Sequence, residues 1–211
     1  MRQREINTAA PLIPPQPTLE TLRTAAAHCR ACPLWESGTQ TVFGEGAGDA
    51  ATLFVGEQPG DQEDRVGRPF VGPAGQLFDR ALQTAGIDRA HLYVTNVVKH
   101  FKWIAQGARR LHQSPTKREV TACRPWLAAE ITVVQPQGIV CLGAVAARAL
   151  LGETFRVTRQ RGEFLPSPLA PWIMATIHPS AILRIPEEDA REAAFHRFVG
   201  DLKEVATRIS R

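Results

Sequence analysis

Three apolar runs in this chain end on side chains equipped for polar chemistry. Leu53-Phe54-Val55-Gly56 runs into Glu57-Gln58-Pro59-Gly60, Leu92-Tyr93-Val94-Thr95 into Asn96, and Trp172-Ile173-Met174-Ala175-Thr176-Ile177 into His178. A fourth run, Gly138-Ile139-Val140-Cys141-Leu142, ends in Gly143. Runs of this length and composition read as strands buried on both faces. A strand interior does not hold an unpaired carboxylate, so Glu57 belongs at an edge. In open parallel α/β sheets ligands bind beyond the carboxyl ends of the strands, so Glu57, Asn96 and His178 are expected to converge on one site. That site would hold a carboxylate for acid–base work, a carboxamide that both donates and accepts, and an imidazole that donates to developing negative charge.

Four cysteines, Cys29, Cys32, Cys123 and Cys141, are a second set with chemical potential. Cys29-x2-Cys32 is a chelating pair whose thiolates reach one centre. An intracellular chain disfavours disulfides, and four thiolates suit either tetrahedral zinc or a 4Fe-4S cluster; ligand type alone does not choose between them.

The elements that position these groups follow from the pattern. With 211 residues, 44% hydrophobic and 22% charged, the chain suits one α/β domain. Residues 1–17 carry four prolines and read as a flexible arm, leaving residues 18–211 as a single domain. Thr18 is placed to cap a first helix, Gly72-Pro73 to open one that ends at Gly86, and Thr116 to begin one reaching Val134. A short helix follows the third run to Leu151, residues 155–164 are expected as an irregular β excursion, and Pro186 starts a last helix. Residues 61–70 read as a charged loop, with Asp61, Glu63 and Asp64 solvated. Strands alternating with helices give a three-layer α/β/α fold around a four-stranded parallel sheet with right-handed crossovers.

The net charge of +4 and a pI near 9.2, with arginines clustered at Arg109-Arg110, suit a polyanionic partner. No apolar run is long enough to span a membrane and no signal-like leader opens the chain, so a cytoplasmic monomer is expected. Between Lys99 and Ser114 lies a polar excursion longer than ordinary connections, and such segments are usually functional.

Taken together, Gly56-Glu57-Gln58-Pro59-Gly60, the Gly67-Arg68-Pro69-Phe70-Val71-Gly72-Pro73-Ala74-Gly75 run, Val94-Thr95-Asn96, the cysteine layout and His178-Pro179-Ser180 resemble the family 4 iron-sulfur uracil-DNA glycosylases. Within them the chain is most similar to the UdgX branch, whose histidine-bearing insertion typically reads KRRIH. Here it reads Ala108-Arg109-Arg110-Leu111-His112, without the leading lysine.

The resemblance implies the uracil-DNA glycosylase fold and a 4Fe-4S cluster on Cys29, Cys32, Cys123 and Cys141. It also implies a partner in uracil-containing DNA, single- or double-stranded. Phe70 matches the position that stacks on the base, Asn96 suits the N3 and O4 edge of uracil, and His178 would donate to O2. Gln58 would bind the base or an ordered water. Glu57 would stabilise the sugar as the glycosidic bond breaks, and His112 would capture the sugar C1′ as a covalent nucleophile. Lys99, Lys102, Arg109, Arg110 and Arg184 are expected to contact phosphates. Two other readings stand beside this one: a conventional multiple-turnover family 4 enzyme, and a noncatalytic, metal-stabilised nucleic-acid-binding protein.

Overall fold

The computed structural model describes residues 8–209. A mixed five-stranded sheet forms its centre, in the order β1-β3-β2-β6-β7. Four strands are the expected ones: β2 (Thr52–Gly56), β3 (Leu92–Asn96), β6 (Gly138–Leu142) and β7 (Trp172–Thr176), all mutually parallel. The fifth, β1 (Glu45–Gly46), runs antiparallel to β3 at the edge, so the sheet is mixed and not purely four-stranded parallel. Two residues, one of them glycine, are too few to show strand periodicity, and the segment reads as loop in the sequence.

Every residue of the four parallel strands is buried, and the two-residue period sorts them to opposite faces. Leu53, Val55, Tyr93, Ile139, Cys141, Ile173 and Ala175 face one apolar core. That core is closed by α1 (Leu19–Ala26), α5 (Lys117–Val134) and α6 (Ala144–Leu151). Phe54, Leu92, Val94, Val140, Leu142, Trp172 and Met174 face a second core. It is covered by α4 (Pro73–Ala85), α8 (Pro179–Leu183) and α9 (Glu188–Ile209). The helix boundaries follow local chemistry. Thr18 caps α1, Thr116 caps α5 reciprocally with Glu119, and Gly86 ends α4 in the left-handed conformation at φ 76°.

Three segments differ from the sequence expectation. Residues 61–70 are not all loop, because Asp61–Val66 forms helix α3 with three carboxylates in its first turn, where the helix dipole favours them. The excursion after β3 is an antiparallel hairpin of β4 (Trp103–Gln106) and β5 (Arg109–His112). Residues 155–164 form the short helix α7 (Val157–Gln160), and the isolated β-bridge pairs Leu165 with Ile173 just beyond. A further single turn, α2 (Leu34–Ser37), follows the first cysteine pair. Of the expected arm, residues 1–7 lie outside the described residues. Ala9 is fully buried with its N–H on the Ala122 carbonyl at 2.9 Å, and Ala10–Leu12 forms a 3-10 turn. Among the described residues no helix is long and apolar enough to cross a membrane.

Candidate active site

The carboxyl ends of β2, β3 and β7 open onto a cavity of about 600 Å³ whose lining includes Glu57, Phe70, Asn96, His112, His178 and Arg184. Glu57 follows the last residue of β2, and Asn96 is the last residue of β3, paired in register with Gly56. Asn96 is 3% exposed, and no described residue hydrogen-bonds its carboxamide, which therefore keeps its donor and acceptor for a ligand. A Cβ on Gly56 would fall 2.3 Å from Asn96 Oδ1, so glycine is what lets the carboxamide occupy its place.

Phe70 is buried and sits at φ 55°, a strained conformation for a bulky side chain. Its ring stacks toward His178 at a centroid distance of 6.2 Å and an interplanar angle of 30°, and leans on Phe78 at 5.4 Å. The loop that carries it is tied at two points by Glu63, which accepts the N–H of Gly60 at 3.1 Å and of Gly72 at 2.7 Å. The sequence reads Glu63 as solvated; it is buried and holds the Phe70 loop in shape.

His178 caps α8, and its Nδ1 accepts the Ser180 N–H at 3.1 Å. Burial, reinforced by the positive charge of Arg184 and by His112, lowers its pKa to about 4. The ring is therefore neutral near pH 7 with its proton on Nε2, the tautomer that can donate to a ligand oxygen.

Glu57 Oε1 is buried, with no hydrogen-bond partner among the described residues. His112 Nε2 stands 3.5 Å from it, near enough for attraction but short of a closed hydrogen bond. The hairpin that brings His112 there is fastened at both feet by one side chain. Gln58 Nε2 donates to the carbonyls of Lys102 (3.2 Å) and Gln113 (3.0 Å), and its Oε1 accepts the Lys102 N–H at 3.2 Å. The Gln58 amide is thus spent on the hairpin and not on a base.

Of the five cations expected to meet phosphate, three are occupied elsewhere. Lys99 is 1% exposed and pairs with Glu130. Arg110 pairs with Asp64 at 2.7 Å and with Asp61, and packs over the Phe101 and Trp103 rings at 5.4 Å. Lys102 pairs with Glu119 at 2.9 Å. Arg109 is exposed on β5, with no partner among the described residues, and Arg184 is exposed at the cavity wall. Arg148, overlooked in the sequence because it lies on an alanine-rich helix, also lines the cavity.

All four cysteines are buried and belong to one core on the same face of the sheet. Burial pushes the Cys32 thiol up to about 11, with Cys29 adding to the rise, and Cys123 up to about 12, with Cys32 and Cys29 adding to it. Both thiols feel the neighbouring Cys29. Two of the sulfurs also accept N–H groups: Cys123 Sγ from the Lys99 backbone and Cys29 Sγ from Trp126 Nε1, each at 3.3 Å. Cys141 lies between Val55 and Ala175 in the middle of the sheet, and its thiol is raised by burial alone. His100 was missed in the sequence. It is buried, its Nε2 meets Thr41 Oγ1 at 3.0 Å, and that hydroxyl donates to the Ala26 carbonyl that also receives the Cys29 N–H. Among the described residues no three Cys, His, Asp or Glu side chains are close enough to hold a single metal ion.

Residues 43–203 match the family model of the uracil DNA glycosylase superfamily. The chain is 38% identical over 167 residues to a type-4 uracil-DNA glycosylase of Thermotoga maritima, covering 79% of this chain and 83% of the relative. It is 34% identical over 175 residues to one of Pyrobaculum aerophilum, with 80% and 86% covered. A third type-4 relative, from Archaeoglobus fulgidus, is 32% identical over 194 residues, with 88% and 93% covered. The chain whose strand ends carry Glu57, Asn96 and His178 around this cavity therefore belongs to the uracil-DNA glycosylase superfamily.

Proposed function

We propose that this protein excises uracil from DNA and then captures the abasic sugar on His112. Type-4 uracil-DNA glycosylases at 30 to 38% identity support the first half. The observation that carries the second is the 3.5 Å approach of His112 Nε2 to the unsatisfied Glu57 Oε1.

The flipped base enters the cavity against Phe70, with the Asn96 carboxamide on its polar edge. As the bond between C1′ and the base nitrogen breaks, its electron pair moves onto the base. His178, neutral and donating from Nε2, stabilises the negative charge growing at the carbonyl oxygen. The Glu57 carboxylate stabilises the cationic sugar. An imidazole lone pair of His112 then forms the bond to C1′ and the ring proton passes to Glu57; the positioned imidazole outcompetes water by its effective concentration. Without the imidazole, water takes its place and the enzyme turns over.

The family resemblance implies an iron-sulfur cluster, and the donor set fits one: buried thiols in one core, two of them receiving N–H groups, a common tuning device of such clusters. Cys29, Cys32 and Cys123 would hold it, with His100 as a nitrogen donor in the same neighbourhood. Bound there, a cluster would supply structural cross-linking between the α1–α2 connection and α5, since glycosidic cleavage transfers no electrons.

The test is a denaturing gel with uracil-containing single-stranded DNA. The expected result is a shifted, heat-stable band for the protein as it stands, and free abasic DNA without that band for His112→Ser. A band persisting in His112→Ser overturns the capture step; no uracil release at all overturns the glycosylase reading.

A further inference from the structure

Lys99 is the most deeply placed cation described next to the cavity, and the α5 helix grips it at both ends. Its backbone N–H donates to Cys123 Sγ at 3.3 Å, and its Nζ reaches Glu130 Oε2 at 2.5 Å. Cys123 and Glu130 lie about two helical turns apart on α5. The same Nζ donates to Thr95 Oγ1 at 2.6 Å and to the Asn96 carbonyl at 2.7 Å. Glu130 in turn accepts the Tyr93 hydroxyl at 3.0 Å, the Thr95 hydroxyl at 2.9 Å and the Gly44 N–H at 3.1 Å. Glu130 is fully buried and Lys99 nearly so, and every polar atom of the network is engaged.

A buried ion pair is weak evidence for stability, because desolvating two charges offsets most of their attraction. What this one does is fix a position. β3 ends at Asn96, and beyond it the Asn96 carbonyl has no sheet partner; the Lys99 ammonium takes that place. With Gly56 beside it leaving room for Oδ1, the Asn96 side chain has one orientation, toward the cavity.

We infer that Lys99 is a positioning residue. With Glu130 it registers Asn96 in the base pocket against the α5 helix and its Cys123, so that the cysteine site and the base-reading residue are held by one clamp. The inference rests on the uracil-excision reading and adds to it a residue that touches no substrate.

The test is a double-mutant cycle on the full chain, read as single-turnover uracil release from single-stranded DNA. Asn96→Ala alone should slow release by about 100-fold, the size of effect that misplacing a substrate-positioning group produces. Lys99→Met combined with Glu130→Gln, which leaves no unpaired buried charge, should slow release by a similar factor. Adding Asn96→Ala to that pair should then cost less than about 3-fold, because residues acting through one another are not additive. Affinity for uracil-free DNA should not change. Lys99→Arg, which keeps the buried charge pair but changes its reach to the Asn96 carbonyl, gives the same cycle at smaller amplitude should the paired variant fold poorly. If Asn96→Ala costs its full factor in both backgrounds, Lys99 is only structural and the inference falls. If the unaltered protein releases no uracil, it is the functional reading that falls.

Discussion

Gly56 and Asn96 face each other across β2 and β3, and the hydrogen of Gly56 stands where any Cβ would lie 2.3 Å from Asn96 Oδ1 and 2.8 Å from the Phe70 ring. One missing methyl therefore sets the place of both the Asn96 carboxamide and the Phe70 ring, the two groups proposed to meet the base. Gly56→Ala should fold at a cost of about 1–3 kcal/mol, as overpacked sites do. Uracil release should fall by roughly 100-fold, the scale expected when a positioning group is displaced. Urea unfolding alongside single-turnover rates checks both; near-normal release would show that the carboxamide need not sit where it does.

The two adjacent arginines of β5 should behave differently. Arg109 is exposed and unpaired among the described residues, so Arg109→Ala should weaken DNA binding and reduce the slope of log affinity against log salt by about 1. Arg110→Ala should leave that slope unchanged. It strips the buried Asp64 of its cation, and removing one partner of a buried pair costs about 3 kcal/mol. Titrations at several salt concentrations and thermal melts separate the two effects.

Acid should reveal His178. Its pKa in the folded protein, about 4, lies below its ordinary 6.5, so the unfolded chain takes up a proton that the folded one refuses. The contribution is complete above pH 6.5 and is lost as pH falls from there toward 4, at a limiting slope of about 1.4 kcal/mol per pH unit. His178→Gln should flatten the stability profile in this window and leave it unchanged above pH 7. An identical pH dependence in the two proteins would contradict the burial of that ring.

Cysteine substitutions should divide three to one. Cys29→Ser, Cys32→Ser and Cys123→Ser should lose the brown visible absorbance of an iron-sulfur cluster. Cys141→Ala, set apart in the sheet, should keep it. His100→Ala should lower iron content with folding retained. Loss of colour in Cys141→Ala would restore the four-cysteine set that the sequence suggests.

How much was legible follows from which forces are local. The parallel strands could be read because burial on both faces makes them continuous apolar runs, and their ends then delivered Glu57, Asn96 and His178 to one edge. The caps at Thr18, Thr116 and Gly86 are local and were equally plain. Lys99 and Arg110 misled because each is a surface-type residue neutralised by a partner 31 or 46 positions away, Glu130 or Asp64. Asp61, Glu63 and Asp64 looked like a solvated run for the same reason. The hairpin escaped notice because its strands, four residues each with mostly polar or exposed positions, show no buried face. Cysteine spacing could not tell that all four thiols lie in one core on the same face of the sheet.

The hairpin's attachment has a consequence for how such proteins diversify. Its feet meet in the Gln113 N–H to Lys102 carbonyl bond at 2.9 Å and are clasped by Gln58, while its arm is latched to α3 by Arg110 and to the α2 end by Trp103 Nε1 on the Ser37 carbonyl. None of its strands joins the central sheet, and none of Glu57, Asn96 and His178 comes from it. Under the proposed function the hairpin carries the fate of the sugar, while the residues that meet the base are carried by the sheet. On that proposal, an enzyme that turns over and one that stays on its lesion differ by a segment anchored through side chains and one backbone bond alone.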